Sequence, residues 1–265
     1  MMLSSGDDRF VGLPLFPSRS FRHGYIFVRT DADIEHPQHL TGKRIGVGQY
    51  AITAAMWVRA LLQHDYNVPP SAVHWFEGGM WAPDDFFGHA TAELPPHIRV
   101  SQAGERTLED MILEGDLDAL ISPHRPRALV AGDRLLRRLF RNYREVERDY
   151  FRRTGFFPIM HLVAIRREIY ERHRWLATSL VQAFEQAKRV SRARLQDTSG
   201  LVVGLPWLVS ELEEVDELFR GDAFPYGFKA NLPILYAMLQ YMVEQGMLKR
   251  KLDPHELFAP ETLAS

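Results

Sequence analysis

The chain contains no cysteine. That excludes disulfides, thiolate nucleophiles, iron–sulfur clusters and cysteine-ligated zinc together. Long apolar runs are missing too, and no stretch approaches the ~18 consecutive apolar residues that a membrane-spanning helix requires. Lysine is scarce, with 5 residues against 27 arginines. Neither charge sign dominates: 32 basic and 34 acidic residues leave a formal net charge of −2. A dedicated nucleic-acid binder needs a cationic face for phosphate, so the balance speaks against that class. The N-terminal string MMLSSGDDRFVGLP lacks the basic-then-apolar pattern of a secretory leader, which makes the cytoplasm the expected location.

What remains is an ordinary folded composition, 46% hydrophobic and 25% charged over 265 residues. A chain of that size forms one large domain or two lobes and buries about three quarters of its unfolded surface. Arginine presents a planar fork that grips carboxylate or phosphate with two bonds. Codon usage in a GC-rich genome also explains its excess, so the count permits an anionic ligand without requiring one.

Neither an internal repeat nor a low-complexity tract is present. Residues 25–30 (YIFVRT) read as a strand. A polar connection leads to a second short strand, Arg44-Ile-Gly-Val-Gly48. Residues 51–65 then place Ala54, Val58, Leu61 and Ala55, Leu62 at helical spacing. Strand, glycine turn and helix make half of a βαβ unit, which predicts an α/β sheet. Further strands are expected at 73–77, 98–101, 118–122 and 158–165, with an irregular excursion over 78–96. Thr107 and Asp110 form a plausible capping pair for a helix over 107–114. Residues 134–153 carry eight arginines with interleaved acids and read as a solvated amphipathic helix, with Leu135, Leu136, Leu139 and Phe140 inward. Helices follow from 175 to about 195, 207–219 and 232–245. The layout suits two lobes, 1–35 plus 157–265 and 36–156, with a ligand beyond the carboxyl ends of the strands.

Candidate chemistry concentrates in three places. Residues 16–24 (FPSRSFRHG) bring Arg19, Arg22 and His23 together just before a strand. The two arginines suit a dicarboxylate, and histidine exchanges a proton near neutral pH. Residues 46–53 (GVGQYAIT) place Tyr50 and Thr53 at a helix start, where unpaired N–H groups stabilise an anion. Neither GxGxxG nor GxxxxGK is present, so this is no nucleotide fingerprint. His161 lies within the apolar strand PIMHLVAI, either as a core residue or as a cleft residue. His36 and His39, and His89 and His97, lack the helical HExxH context of zinc, and no metal site is expected. The GxSxG nucleophile elbow is also missing.

Taken together, FPSRSFRHGYIFVRTD, LTGKRIGVGQYAITAAMWVRALLQHDY, YFRRTGFFPIMHLVAIRREIY, FPYGF and LDPHELFAPETL resemble the 4,5-dihydroxyphthalate decarboxylase family. The likeness covers roughly residues 8–263. It implies an α/β, two-lobed, type II periplasmic-binding-protein-like fold, akin to the sulfonate and thiamine-precursor binders. Against that pattern the first lobe is short of its N-terminal strand–helix–strand. Leu232 follows Asn231 where family members often carry arginine. The resemblance further implies a cofactor-free, cytoplasmic decarboxylase acting on a small aromatic dicarboxylate, with His23 and His161 as proton-transfer candidates. Arg19, Arg22, Tyr50, Thr53 and Tyr226 are the expected binding residues. No nucleic-acid or membrane partner is implied, and a homo-oligomer is expected. In the substrate each hydroxyl is para to a carboxylate, so the phenol itself accepts the electrons displaced by ring protonation. The alternative reading is a solute-binding protein or sensor holding an aromatic or sulfonated anion without turnover.

Overall fold

The computed structural model describes residues 8–83, 94–132, 134–200 and 202–265. In chain order its elements are β1 (Phe10–Arg19), β2 (Ile26–Arg29), β3 (Arg44–Val47), α1 (Thr53–Tyr66), β4 (His74–Glu77), β5 (Arg99–Gln102) and α2 (Leu108–Glu114). There follow β6 (Ala119–Ile121), α3 (Arg127–Val130), β7 (Leu136–Arg138), α4 (Tyr143–Thr154) and β8 (Ile159–Arg166). The last helices are α5 (Arg167–Arg172), α6 (Trp175–Gln196), α7 (Leu208–Phe219) and α8 (Phe228–Glu244). None of the described helices is long and apolar enough to cross a membrane. Of the irregular excursion expected over 78–96, residues 84–93 lie outside the described part.

The chain divides into two units. Among the described residues, the first comprises Phe21–Tyr150 and Met238–Lys251; the second takes 8–20, Phe151–Ala237 and Leu252–Ser265. The crossings differ from a division at residues 35 and 157, because β2 pairs with β6 and β7.

In the first unit a six-stranded sheet runs in the order β5-β4-β3-β6-β2-β7. β3 is parallel to β4 and β6, and β4 to β5, whereas β2 is antiparallel to both of its neighbours. Glycine turns and caps punctuate these elements as the composition predicts. Thr107 caps α2, its Oγ1 accepting from the Asp110 N–H at 3.0 Å. Asn67 ends α1 in the left-handed region at φ 57°, which asparagine tolerates better than most residues. Phe27, Leu108, Met111, Ile112, Leu117, Leu120 and Leu136 form a core between sheet and helix.

Residues 134–153 depart from the single amphipathic helix expected there. Leu136–Arg138 is instead a strand on β2, and the helix starts only at Tyr143. Leu136, Leu139 and Phe140 are buried as expected, but Leu135 is 48% exposed.

The second unit is built on an antiparallel pair, β1 with β8. β1 escapes a sequence reading because residues 11–16 are all buried, so no alternation shows, and Pro14 and Pro17 interrupt it. The register slips between Leu13 and Ser18, where those prolines lie. Val11, Leu13, Leu15, Ile165, Tyr170, Ala177 and Ala259 form its core.

Candidate active site

The register within the first unit assembles one functional edge. Val47 of β3 pairs with Ile121 of β6, and Ile121 also pairs with Ile26, the first residue of β2. The carboxyl ends of β3 and β6 therefore emerge beside the turn that feeds β2. Residues 22–25 and the β3–α1 turn share that edge, the usual ligand side of an α/β sheet.

At the β3–α1 turn the expected anion site already holds an internal anion. The Tyr50 N–H donates to Glu77 Oε1, while Glu77 Oε2 accepts from Gln102 Nε2 at 2.8 Å. Tyr50 points inward: it is 1% exposed, and its hydroxyl donates to the Gln245 carbonyl at 3.3 Å. Burial pushes its phenol up in pKa. The Arg59 guanidinium lies 3.6 Å from the Tyr50 ring centroid and donates to the Tyr50 carbonyl at 2.7 Å and Gln245 Oε1 at 2.8 Å. Thr53, half-buried, opens α1.

The turn before β2 holds Arg22 and His23. His23 is 3% exposed and meets Phe140 and Tyr150 edge-on, each ring 5.3 Å away. Glu147 Oε1 lies 3.9 Å from His23 Nδ1 and accepts the Gly24 N–H at 3.1 Å. A β-carbon on Gly24 would come within 2.7 Å of the Tyr143 ring, so only glycine lets the turn lie this close to α4. Desolvation pushes the Glu147 carboxyl up to about 7 against its hydrogen bonds with the backbone and the pull of Arg138 and Arg22. Burial lowers the pKa of Arg22, whose guanidinium lies 5.2 Å from the Tyr25 ring.

In the second unit Arg19 is buried and tied to the protein. Nη1 donates to the Phe157 carbonyl at 3.0 Å, and Nη2 to the Pro225 carbonyl at 3.1 Å and to Asn231 Oδ1. Its Nε finds no acceptor among the described residues. Desolvation brings its pKa down to about 10. Tyr226 is half-buried, with Lys188 Nζ 4.4 Å from its ring. His161 is exposed on β8, opposite Ser18. Among the described residues no group of three or more His, Asp or Glu is placed to hold a metal ion.

No protein-family model matches this chain. Over 263 residues it is 35% identical to the 4,5-dihydroxyphthalate decarboxylase of Comamonas testosteroni, covering 99% of this chain and 79% of that protein. The chain belongs to the 4,5-dihydroxyphthalate decarboxylase family. Its members are carboxy-lyases, and so is this chain. The Pseudomonas putida decarboxylase is 35% identical over 154 residues, 58% of this chain and 59% of that protein. The periplasmic aliphatic sulphonate-binding protein of Escherichia coli superposes with a TM-score of 0.50 at 11% identity, covering 100% of this chain and 77% of that one. This places the decarboxylase on the two-lobed periplasmic-binding-protein fold, as the resemblance implied.

Several of the strings that carried the resemblance meet in the second unit and build structure. FPSR, FFP and FPYGF converge on Arg19. LFAPETL packs beside β1, where the Gly12 N–H donates to the Leu257 carbonyl at 2.9 Å. Glu147, Arg59 and Glu77 were not singled out from sequence. Glu147 read as one interleaved acid among arginines. Its signal is the spacing of Tyr143, Glu147 and Tyr150 at i, i+4 and i+7, one helix face turned to Gly24 and His23.

Proposed function

We propose that this decarboxylase removes one carboxylate of 4,5-dihydroxyphthalate as CO₂, leaving 3,4-dihydroxybenzoate (protocatechuate). The 35% identity along 99% of the chain carries the reading. Arg22 grips a substrate carboxylate through its paired N–H groups, in a half-buried setting that strengthens the contact. Thr53, at the start of α1 on the same edge, faces the second polar end of the substrate. His23, as imidazolium, gives its proton to the ring carbon bearing the departing carboxylate. The new C–H bond draws on the ring π electrons, and the para oxygen takes up the positive charge, passing its proton to water and regaining one once the ring is aromatic again. The C–CO₂ bond then breaks, its electron pair restores the aromatic ring, and CO₂ leaves. One proton is consumed and the phenol is its own electron sink, so the chemistry requires no organic cofactor. General acid catalysis of this type contributes about 10²–10⁴-fold.

The test is incubation with 4,5-dihydroxyphthalate, measuring CO₂ and 3,4-dihydroxybenzoate, with and without chelator. Stoichiometric release of both products is expected under either condition. Binding without turnover would favour a solute-binding role, and turnover lost on chelation would overturn the cofactor-free route.

A further inference from the structure

Burying a carboxylate beside a buried imidazole is unfavourable unless the two share charge. The first unit contains such a pair. His23 is 3% exposed and the Glu147 side chain 12%, with Nδ1 and Oε1 3.9 Å apart. That separation is within ion-pair reach and longer than a hydrogen bond, and catalytic contacts of this kind tighten when substrate arrives. The carboxylate is fixed rather than floating: the Gly24 N–H holds Oε1 at 3.1 Å, and the rings of Phe140 and Tyr150 fix the imidazole edge-on.

We propose that Glu147 is the positioning residue of His23, and that the two side chains hold in common the proton that decarboxylation consumes. This rests on the reading of His23 as proton donor. The carboxylate stabilises the imidazolium before transfer, and after transfer the neutral imidazole regains a proton from solvent through the pair. Other charged and titratable groups around the pair are Arg22 and Tyr25 from the turn before β2, Arg138 from β7, and Tyr143 and Tyr150 from α4. Tyr66 of α1 reaches Phe140, behind the imidazole, at 5.5 Å. The two arginines favour the ionised carboxylate, and desolvation opposes it. The carboxyl is thereby held at about 7.

The test follows the His23 ring resonances by NMR across pH, assigned by their loss in His23→Gln. In the wild-type protein two coupled steps shared by the pair are expected; a single simple titration would overturn the pairing. Glu147→Gln keeps an acceptor for the Gly24 N–H while removing the charge. It should leave one step, lowered by about one pH unit, because the imidazolium loses its counter-charge. An unmoved midpoint would overturn the proposal. In turnover, Glu147→Gln should lower kcat at least about 10-fold, leave KM within about twofold, and shift the alkaline limb of the rate profile to lower pH. Glu147→Asp should restore the limb, and a limb common to all three proteins would count against the pair. A wild-type protein that shows two coupled steps but no turnover keeps the pair and overturns the decarboxylase reading instead.

Discussion

A buried guanidinium without a bonded carboxylate is held by whatever its donors reach, and among the described residues Arg59 of the first unit and Arg19 of the second are such groups. Arg59 leans on Tyr50, Gln245 and the Met247 sulfur, while Arg19 gathers the Phe157 and Pro225 carbonyls and the Asn231 side chain. Desolvation pulls both down to about 10 in pKa, so neither loses its charge at neutral pH. Arg19 ties segments 138, 206 and 212 residues away from it in sequence. Removing the side chain takes the Arg19 donor from the Phe157 carbonyl and from buried Asn231 Oδ1, while the Pro225 carbonyl keeps Asn231 Nδ2 at 2.9 Å, so Arg19→Ala is expected to lower unfolding stability by on the order of 3 kcal/mol. Arg19→Lys should recover little, since a point ammonium cannot span three acceptors set for a fork. Urea titration of both variants checks this, and a loss below about 1 kcal/mol in Arg19→Ala would refute it. No sequence pattern reveals such partners, and an arginine in FPSRSFRH looks as ready for a ligand as Arg22 does.

Among elements, β1 is held where backbone passes close to backbone. Gly12 bridges Phe258 in parallel, its N–H donates to the Leu257 carbonyl, and the Ala259 N–H returns to its own carbonyl at 3.0 Å. A β-carbon at Gly12 would stand 2.8 Å from the Leu257 carbonyl oxygen, which cannot swing aside as a side-chain tip can. Gly12→Val is therefore expected to destabilise by about 2 kcal/mol or more and to loosen the 257–259 segment. Thermal unfolding reads the first effect, and amide hydrogen exchange at Phe258 and Ala259 the second; unchanged protection would contradict the close-approach argument. Elements bounded by glycine, a cap or a helical period were legible in sequence: β3, α1, β4, α2, β6 and α6 lie within one or two residues of expectation. β1 and β7 were not. β1 is buried throughout with two prolines, and the three residues of β7 sit inside an arginine-rich run that mimics a helix face.

For the whole molecule, the question is which unit supplies the proton. Sequence alone does not choose between His23, in a turn of arginines and serines, and His161, within an apolar strand. Their surroundings now differ: His23 is buried in the first unit against Glu147, Phe140 and Tyr150, while His161 is exposed on β8 of the second. A donor to ring carbon works best where water is excluded and a counter-charge steadies the imidazolium, conditions met at His23. His23→Ala should therefore reduce kcat by at least about 100-fold while the dissociation constant for 4,5-dihydroxyphthalate stays within about threefold. His161→Ala should keep turnover within about tenfold of the wild-type value. Single-turnover rates with calorimetric affinities separate chemistry from binding. If the outcome is reversed, with His161→Ala inactive and His23→Ala active, the proton comes from the second unit and Glu147 loses its part in the reaction.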